Sequence, residues 1–194
     1  MNKKQNILKN IKNDLSDVII DPISDKIFDK YFDNCKIILY SDLVNYDSIL
    51  DILTNDFDFC VILFKQNDKG NNHWLCLTRQ NNIINHFCSY GSMVDEYFKW
   101  SIQSELNKVH EYKPYLSILL NKYNDGPIYY NCIDYQNDRN LNIATCGRWC
   151  IVYIMFSVVN HHYNLNQFYN YMKRQKKKYK LPFDKLISII INDL

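Results

Sequence analysis

"HWLCLTRQNNIINHFCSYG", residues 73–91, reads as two strands joined by a tight turn, and that reading decides the fold. "HWLCLTR" (73–79) and "NIINHFCSY" (82–90) are strand-length apolar stretches, and "QNN" between them supplies the turn. Upstream, "FDFCVILFK" (57–65) is an apolar run of buried-strand length, and downstream "PIYYNCIDYQ" (127–136) reads as a further strand. Helical patterns flank these runs. Residues 1–55 read as short helices, with Ser24 and Asp25 placed to cap "SDKIFDKYF" and helical spacing in "YDSILDILTND". In "VDEYFKWSIQSELNKV" (94–109), Val94, Tyr97, Phe98, Ile102 and Leu106 fall on one helical face. "CGRWCIVYIMFSVVN" (146–160) is apolar all round, so periodicity cannot separate helix from strand, but its length favours a buried helix. Two more helices are expected near 163–175 and 182–192. Helices, then a small, mostly antiparallel sheet, then helices make an α+β domain.

The 194 residues are enough for one domain, and 47% hydrophobic content supplies a core. We read a single unit over 1–194, with a helical N-terminal part (1–55), the sheet and central helix (57–160) and C-terminal helices (161–194). Its 23 basic and 21 acidic residues nearly cancel, so no global field draws the chain to nucleic acid and any polyanion contact must be local. Seven scattered cysteines, several inside apolar runs, point to a reducing, intracellular setting rather than a disulfide framework. Cys146 and Cys150 with His161 and His162 do not have the spacing of a zinc site, and no metal or organic cofactor is implied. No apolar run approaches the roughly 20 residues that span a bilayer. Alanine occurs once, at Ala144, while Asn, Ile, Lys and Tyr are abundant, a bias that matches AT-rich codons of the kind many viruses use.

A nucleophilic cysteine needs its thiolate, and the start of a helix supplies partial positive charge and free N–H groups that favour one. Cys146 stands where the buried helix should begin, and Gly147 after it would let a substrate backbone come close. The same N–H groups could bind an oxyanion. His73 is the natural candidate for the general base, although each residue taken alone is more often a matter of core packing.

The ordered set "NHWLCL" (72–77), "HFCSYG" (86–91), "YQ" (135–136) and "TCGRWC" (145–150) resembles the adenovirus-type maturation proteases and their cellular relatives, which process ubiquitin-like modifiers. The likeness covers about residues 57–160, and its "SYG" and "TCGRW" forms look closest to proteases of large DNA viruses, virophages and virus-like transposons. It implies an adenain-like fold with a papain-like site in permuted order, His before Cys. His73 would be base and then acid, and Cys146 the nucleophile that forms a thioester. Gln136 would donate to the oxyanion with the Cys146 N–H, and Trp74 would pack beside the site with Gly147.

Two departures stand against that pattern. Gln136 and Cys146 are separated by an inserted "NDRNLNIA", in which Asn137 and Asn142 are weaker substitutes for Gln136. Cys88 fills the slot where the family carries Asp, Glu or Asn, and a neutral thiol is a poor acceptor for an imidazole N–H. Either His73 and Cys146 work as a dyad, or Asn85 or Ser89 orients the ring, or the site is impaired; we favour the dyad. The resemblance implies a viral maturation endopeptidase that cleaves capsid or core precursors at glycine-rich sites, in the virion and in the host cytoplasm or viral factory. The rivals are a ubiquitin-like-protein protease, an acyltransferase on the same fold, and a degenerate fold kept as a binding module. "KRQKKKYK" (173–180) reads either as a solvated helix end or as a contact for DNA from Lys173 to Lys180.

Overall fold

Strand β3 (Asn72–Gln80) lies at the centre of a five-stranded sheet, between β2 (Phe57–Lys65) and β4 (Ile83–Cys88). The computed structural model describes residues 26–70, 72–136 and 144–194. Both central pairings are antiparallel, with Trp74 opposite Leu63 and Leu75 opposite Cys88. The edges are short: β1 (Ile37–Leu39) runs parallel to β2, and β5 (Ile128–Tyr130) runs parallel to β4.

The period of two along these strands sends side chains to alternate faces, and each face has its own core. Val61, Trp74, Cys76 and Phe87 pack on one side against α1 (Lys26–Tyr31), α4 (Cys146–Ile154), α5 (Leu165–Tyr179) and α6 (Phe183–Ile190). Cys60, Ile62, Phe64, Leu75, Leu77 and Ile84 pack on the other, against α2 (Gln103–Lys108), α3 (Tyr115–Asn121) and three 3₁₀ turns. A sheet covered on both faces explains why β2 reads as a continuous apolar run rather than a clean alternation.

The structure bears out the α+β class and corrects several elements. Residues 94–109 do not form one helix. Glu96–Trp100 is a 3₁₀ turn, and Ser101 and Ile102 are extended before α2 begins. The cause is Asp95, held in the left-handed region, whose carboxylate accepts from the Tyr40 and Tyr97 hydroxyls and from the Ser117 N–H. Ile102, placed on the apolar face by periodicity, is 70% exposed. The strand expected over 127–136 keeps three residues, because the Asn131 side chain accepts the Ile133 N–H at 3.0 Å and turns the chain out of the sheet. The stretch read as short helices includes β1 and two 3₁₀ turns, one capped by Ser48. The caps proposed at Ser24 and Asp25, and the helices before them, lie outside the described residues. The apolar run from Cys146 is helical as expected, but its last six residues, Met155–Asn160, widen into a π-helix.

Candidate active site

The site residues gather where β4 leaves the sheet. Its last pair with β3 is Cys88 opposite Leu75, so His73 and Trp74 are paired only with β2. The chain then turns sharply. The Gly91 N–H donates to the Cys88 carbonyl at 2.9 Å, and Gly91 has φ +67°, where a side chain is strained. A Cβ on Gly91 would lie 2.8 Å from the Ile133 carbonyl carbon, so the turn can pass against residues 131–134 only with glycine here. Asn131 clamps the same turn, its Nδ2 donating to the Cys88 carbonyl at 2.6 Å.

His73 is buried on the face shared with Leu75, and its Nε2 lies 3.2 Å from Cys88 Sγ. The imidazole stacks on Tyr90 at 4.6 Å and 19°, and Tyr97 and Trp100 complete an aromatic box at 6.3 and 6.4 Å. Nδ1 has no hydrogen-bond partner. Burial, with a smaller contribution from nearby His86, lowers the His73 pKa to about 3, so the ring is neutral at physiological pH.

Cys146 is the first residue of α4 and stands under the opposite face of the sheet. The backbone N–H groups of Trp74, Gly147 and Cys146 itself lie close enough to its sulphur to lower the thiol pKa. Burial outweighs them and pushes the thiol up to about 11, so this group too is neutral at rest. Before it, Thr145 Oγ1 donates to Asp184 Oδ1 at 3.3 Å and ties the start of α4 to α6. The His73 ring and the Cys146 sulphur are not hydrogen-bonded to each other. What links them is the Trp74 amide, in the residue next to His73.

Gln136 is buried and belongs to the same turn. Ser89 Oγ donates to its Oε1 at 3.1 Å, and its Nε2 donates to the Tyr90 hydroxyl at 3.1 Å. Ser89 is therefore engaged with Gln136, while Asn85 Nδ2 donates to Thr78 Oγ1 at 3.5 Å, and neither is hydrogen-bonded to His73. Cys88, its pKa raised by burial to about 12, is the group at His73 Nε2. The Trp74 ring lies in the core, 5.0 Å from Phe28, and Gly147 is buried in the first turn of α4. Asn137 and Asn142 lie outside the described residues. Among the described residues no cluster of three or more His, Cys, Asp or Glu side chains could hold a metal ion. No helix there is long and apolar enough to cross a membrane.

Two contributors were not singled out from the sequence. Tyr90 stacks on the histidine and holds Gln136; its place in "SYG", directly after the slot of Cys88, was the available signal. Asn131 carried no signal, because its partner is a main-chain carbonyl 43 residues away.

Fold and site thus define an α+β domain with a cysteine opening its central helix and a histidine at the open end of its central strand. No protein-family model matches the chain. Over 156 residues it is 35% identical to "Uncharacterized protein V9" of the Sputnik virophage, a match that covers 80% of this chain and 85% of that protein. The chain belongs to the family of that virophage protein.

Proposed function

We propose that the protein is a cysteine endopeptidase of the viral maturation type, with Cys146 as nucleophile and His73 as base. The observation that carries this reading is Cys146 as the first residue of a buried helix, where backbone N–H groups, one of them from the residue that follows His73, act to lower its thiol pKa. Those donors favour a thiolate, and the Cys146 N–H would also serve the carbonyl oxygen of a bound substrate. Gln136, its amide oriented by Ser89 and Tyr90, is the second oxyanion donor. The kinship with a virophage protein supports a viral setting; capsid or core precursors as substrates and glycine-rich cleavage sites follow from the resemblance in the sequence motifs alone.

The resting ring and sulphur lie on opposite faces of the sheet, so the reaction requires His73 to reach Cys146; it then begins with proton transfer from Cys146 to His73 as the sulphur attacks the peptide carbonyl. The thioester forms when the protonated His73 returns that proton to the leaving amine, and water, deprotonated by His73, then releases the acid and the free thiol. Incubation of the purified protein with a virophage capsid precursor should give new termini at Gly-rich sites by mass spectrometry. Cys146→Ala should lower that rate by at least roughly 10⁴-fold. Cleavage of a ubiquitin-like fusion with the precursor left intact would move the substrate class to the cellular type, and equal rates for wild type and Cys146→Ala would end the protease reading.

A second reading, a binding module on a silent protease fold, draws on the neutral and unlinked state of His73 and Cys146. On either reading α5 offers a surface for DNA. Lys173, Arg174, Lys176, Lys177, Lys178 and Lys180 are exposed, and residues 139–183 contain no Asp or Glu. Binding there would weaken steeply with salt.

A further inference from the structure

The turn after β4 surrounds one sulphur with donors. The backbone N–H groups of Tyr90 and Ser92 lie near enough to Cys88 Sγ to act on its pKa, while Gly91 and Asn131 bond to the carbonyl of the same residue. The third neighbour of that sulphur is His73 Nε2 at 3.2 Å. A thiol has one hydrogen to give and is a weak acceptor, whereas a neutral imidazole nitrogen is a good one. Among the described residues, the side-chain acceptor it meets is the ring nitrogen.

We infer that Cys88 donates its S–H to His73 Nε2 and thereby holds the neutral ring proton on Nδ1. Cys88 is a positioning residue, and the tautomer it selects is the opposite of the one an ionised carboxylate would select in its place. A carboxylate would accept the two amide N–H groups and also an Nε2–H, leaving the Nδ1 lone pair free. With the thiol, Nδ1 carries a hydrogen that meets no partner, and the single basic nitrogen is already engaged. His73 stays neutral over the physiological range because it is buried, so the two tautomers differ in where one proton sits and not in charge. On the protease reading, which this step rests upon, His73 in its resting state cannot take the Cys146 proton at Nδ1, and the native enzyme is slow until that proton moves.

The test is the ¹⁵N spectrum of the histidine rings in the full-length protein at neutral pH, with His73 assigned by its loss in His73→Gln. A proton-bearing Nδ1 and a bare Nε2 at His73 are expected. Cys88→Asp should reverse the two, and Cys88→Ser, which keeps a donor of similar size, should leave them as in the wild type. A wild-type ring protonated on Nε2 overturns the inference, and this observation needs no variant to fold. Peptide hydrolysis supplies the second readout. Cys88→Asp should cleave at least about tenfold faster than the wild type, since a wrong tautomer in a triad costs up to about 10⁴-fold. If the tautomer reverses and the rate does not rise, the catalytic consequence fails. If no variant cleaves any peptide, the protease reading fails, while the spectrum still decides the role of Cys88.

Discussion

The two ends of β3 are built from similar materials and finished differently. At the end near Gln80 the long polar side chains of β3 are bound, although Asn85 Oδ1, opposite Thr78, has no partner. Gln80 Nε2 donates to the Ser157 carbonyl at 2.5 Å, inside the π-helix, and Arg79 donates to the Asn81 and Leu53 carbonyls at 2.7 and 3.0 Å. At the end near His73, β4 has left, and polar atoms remain uncommitted. His73 Nδ1 is buried without a partner; towards the middle of the strand on the same face, opposite Leu77, both ring nitrogens of His86 are also unmatched. An unsatisfied buried nitrogen costs stability, and proteins hold such groups most often where chemistry requires them. The closed end thus anchors the central helix, and the open end carries the reactive groups.

The largest expected difference between the ends is in acid. Burial lowers His73 to about 3 and His86 to about 4, against an ordinary value of 6.5. Below pH 6.5 the unfolded chain binds protons at these rings and the folded chain does not, so their contribution to stability is full above that pH and is lost as pH falls towards 4. The loss is on the order of a few kcal/mol. Glu111, raised by burial to about 8, acts in the opposite direction, since its folded form holds a proton that the unfolded form releases above pH 4.5. The histidine effect is therefore read as a difference: urea unfolding of His86→Leu should lose less stability than the wild type between pH 6.5 and 4. Parallel curves would show that His86 has a partner in solution and would weaken the contrast between the ends.

Next in size is the closed end itself. Gln80→Ala removes the donor to the Ser157 carbonyl and leaves that oxygen buried, at a cost of roughly 1–3 kcal/mol. Denaturant unfolding should register the loss. The alkylation rate of Cys146 by iodoacetamide should be unchanged, because the donors around that sulphur come from Trp74, Gly147 and Cys146. A large change in Cys146 reactivity would mean that the two ends of the strand are coupled through α4.

The same contrast explains what the sequence made legible. β2, β3 and β4 were readable because their apolar runs and turn are local, and they fall within one or two residues of where they were placed. Cys146 at the start of α4 and Cys88 beside His73 were also readable as places in an ordered set. The break at Ser101 was not, because it follows from Asp95 bonding to Tyr40 and Ser117, partners set by the tertiary fold. The separation of the His73 ring from Cys146 was likewise invisible. It depends on His73 facing the Leu75 side of the sheet while α4 packs on the other, and strand alternation gives the face of a residue but not which helix lies over it.

The smallest effect lies at the open end, in one hydroxyl. Tyr90→Phe keeps the ring stacked on His73 but removes the oxygen that accepts from Gln136 Nε2 at 3.1 Å. Stability should fall by about 1 kcal/mol, the usual net worth of a hydrogen bond. If Gln136 serves the oxyanion, the freed amide is less well aimed, and kcat should fall several-fold with KM little changed, as for an interaction made in the transition state. The ring tautomer of His73 should be unaffected, because Cys88 and not Tyr90 is hydrogen-bonded to Nε2. A fall in stability with kcat intact would confine Tyr90 to packing and remove Gln136 from the catalytic set. It would also bring the open end closer to the closed one, with its polar side chains tied for structure.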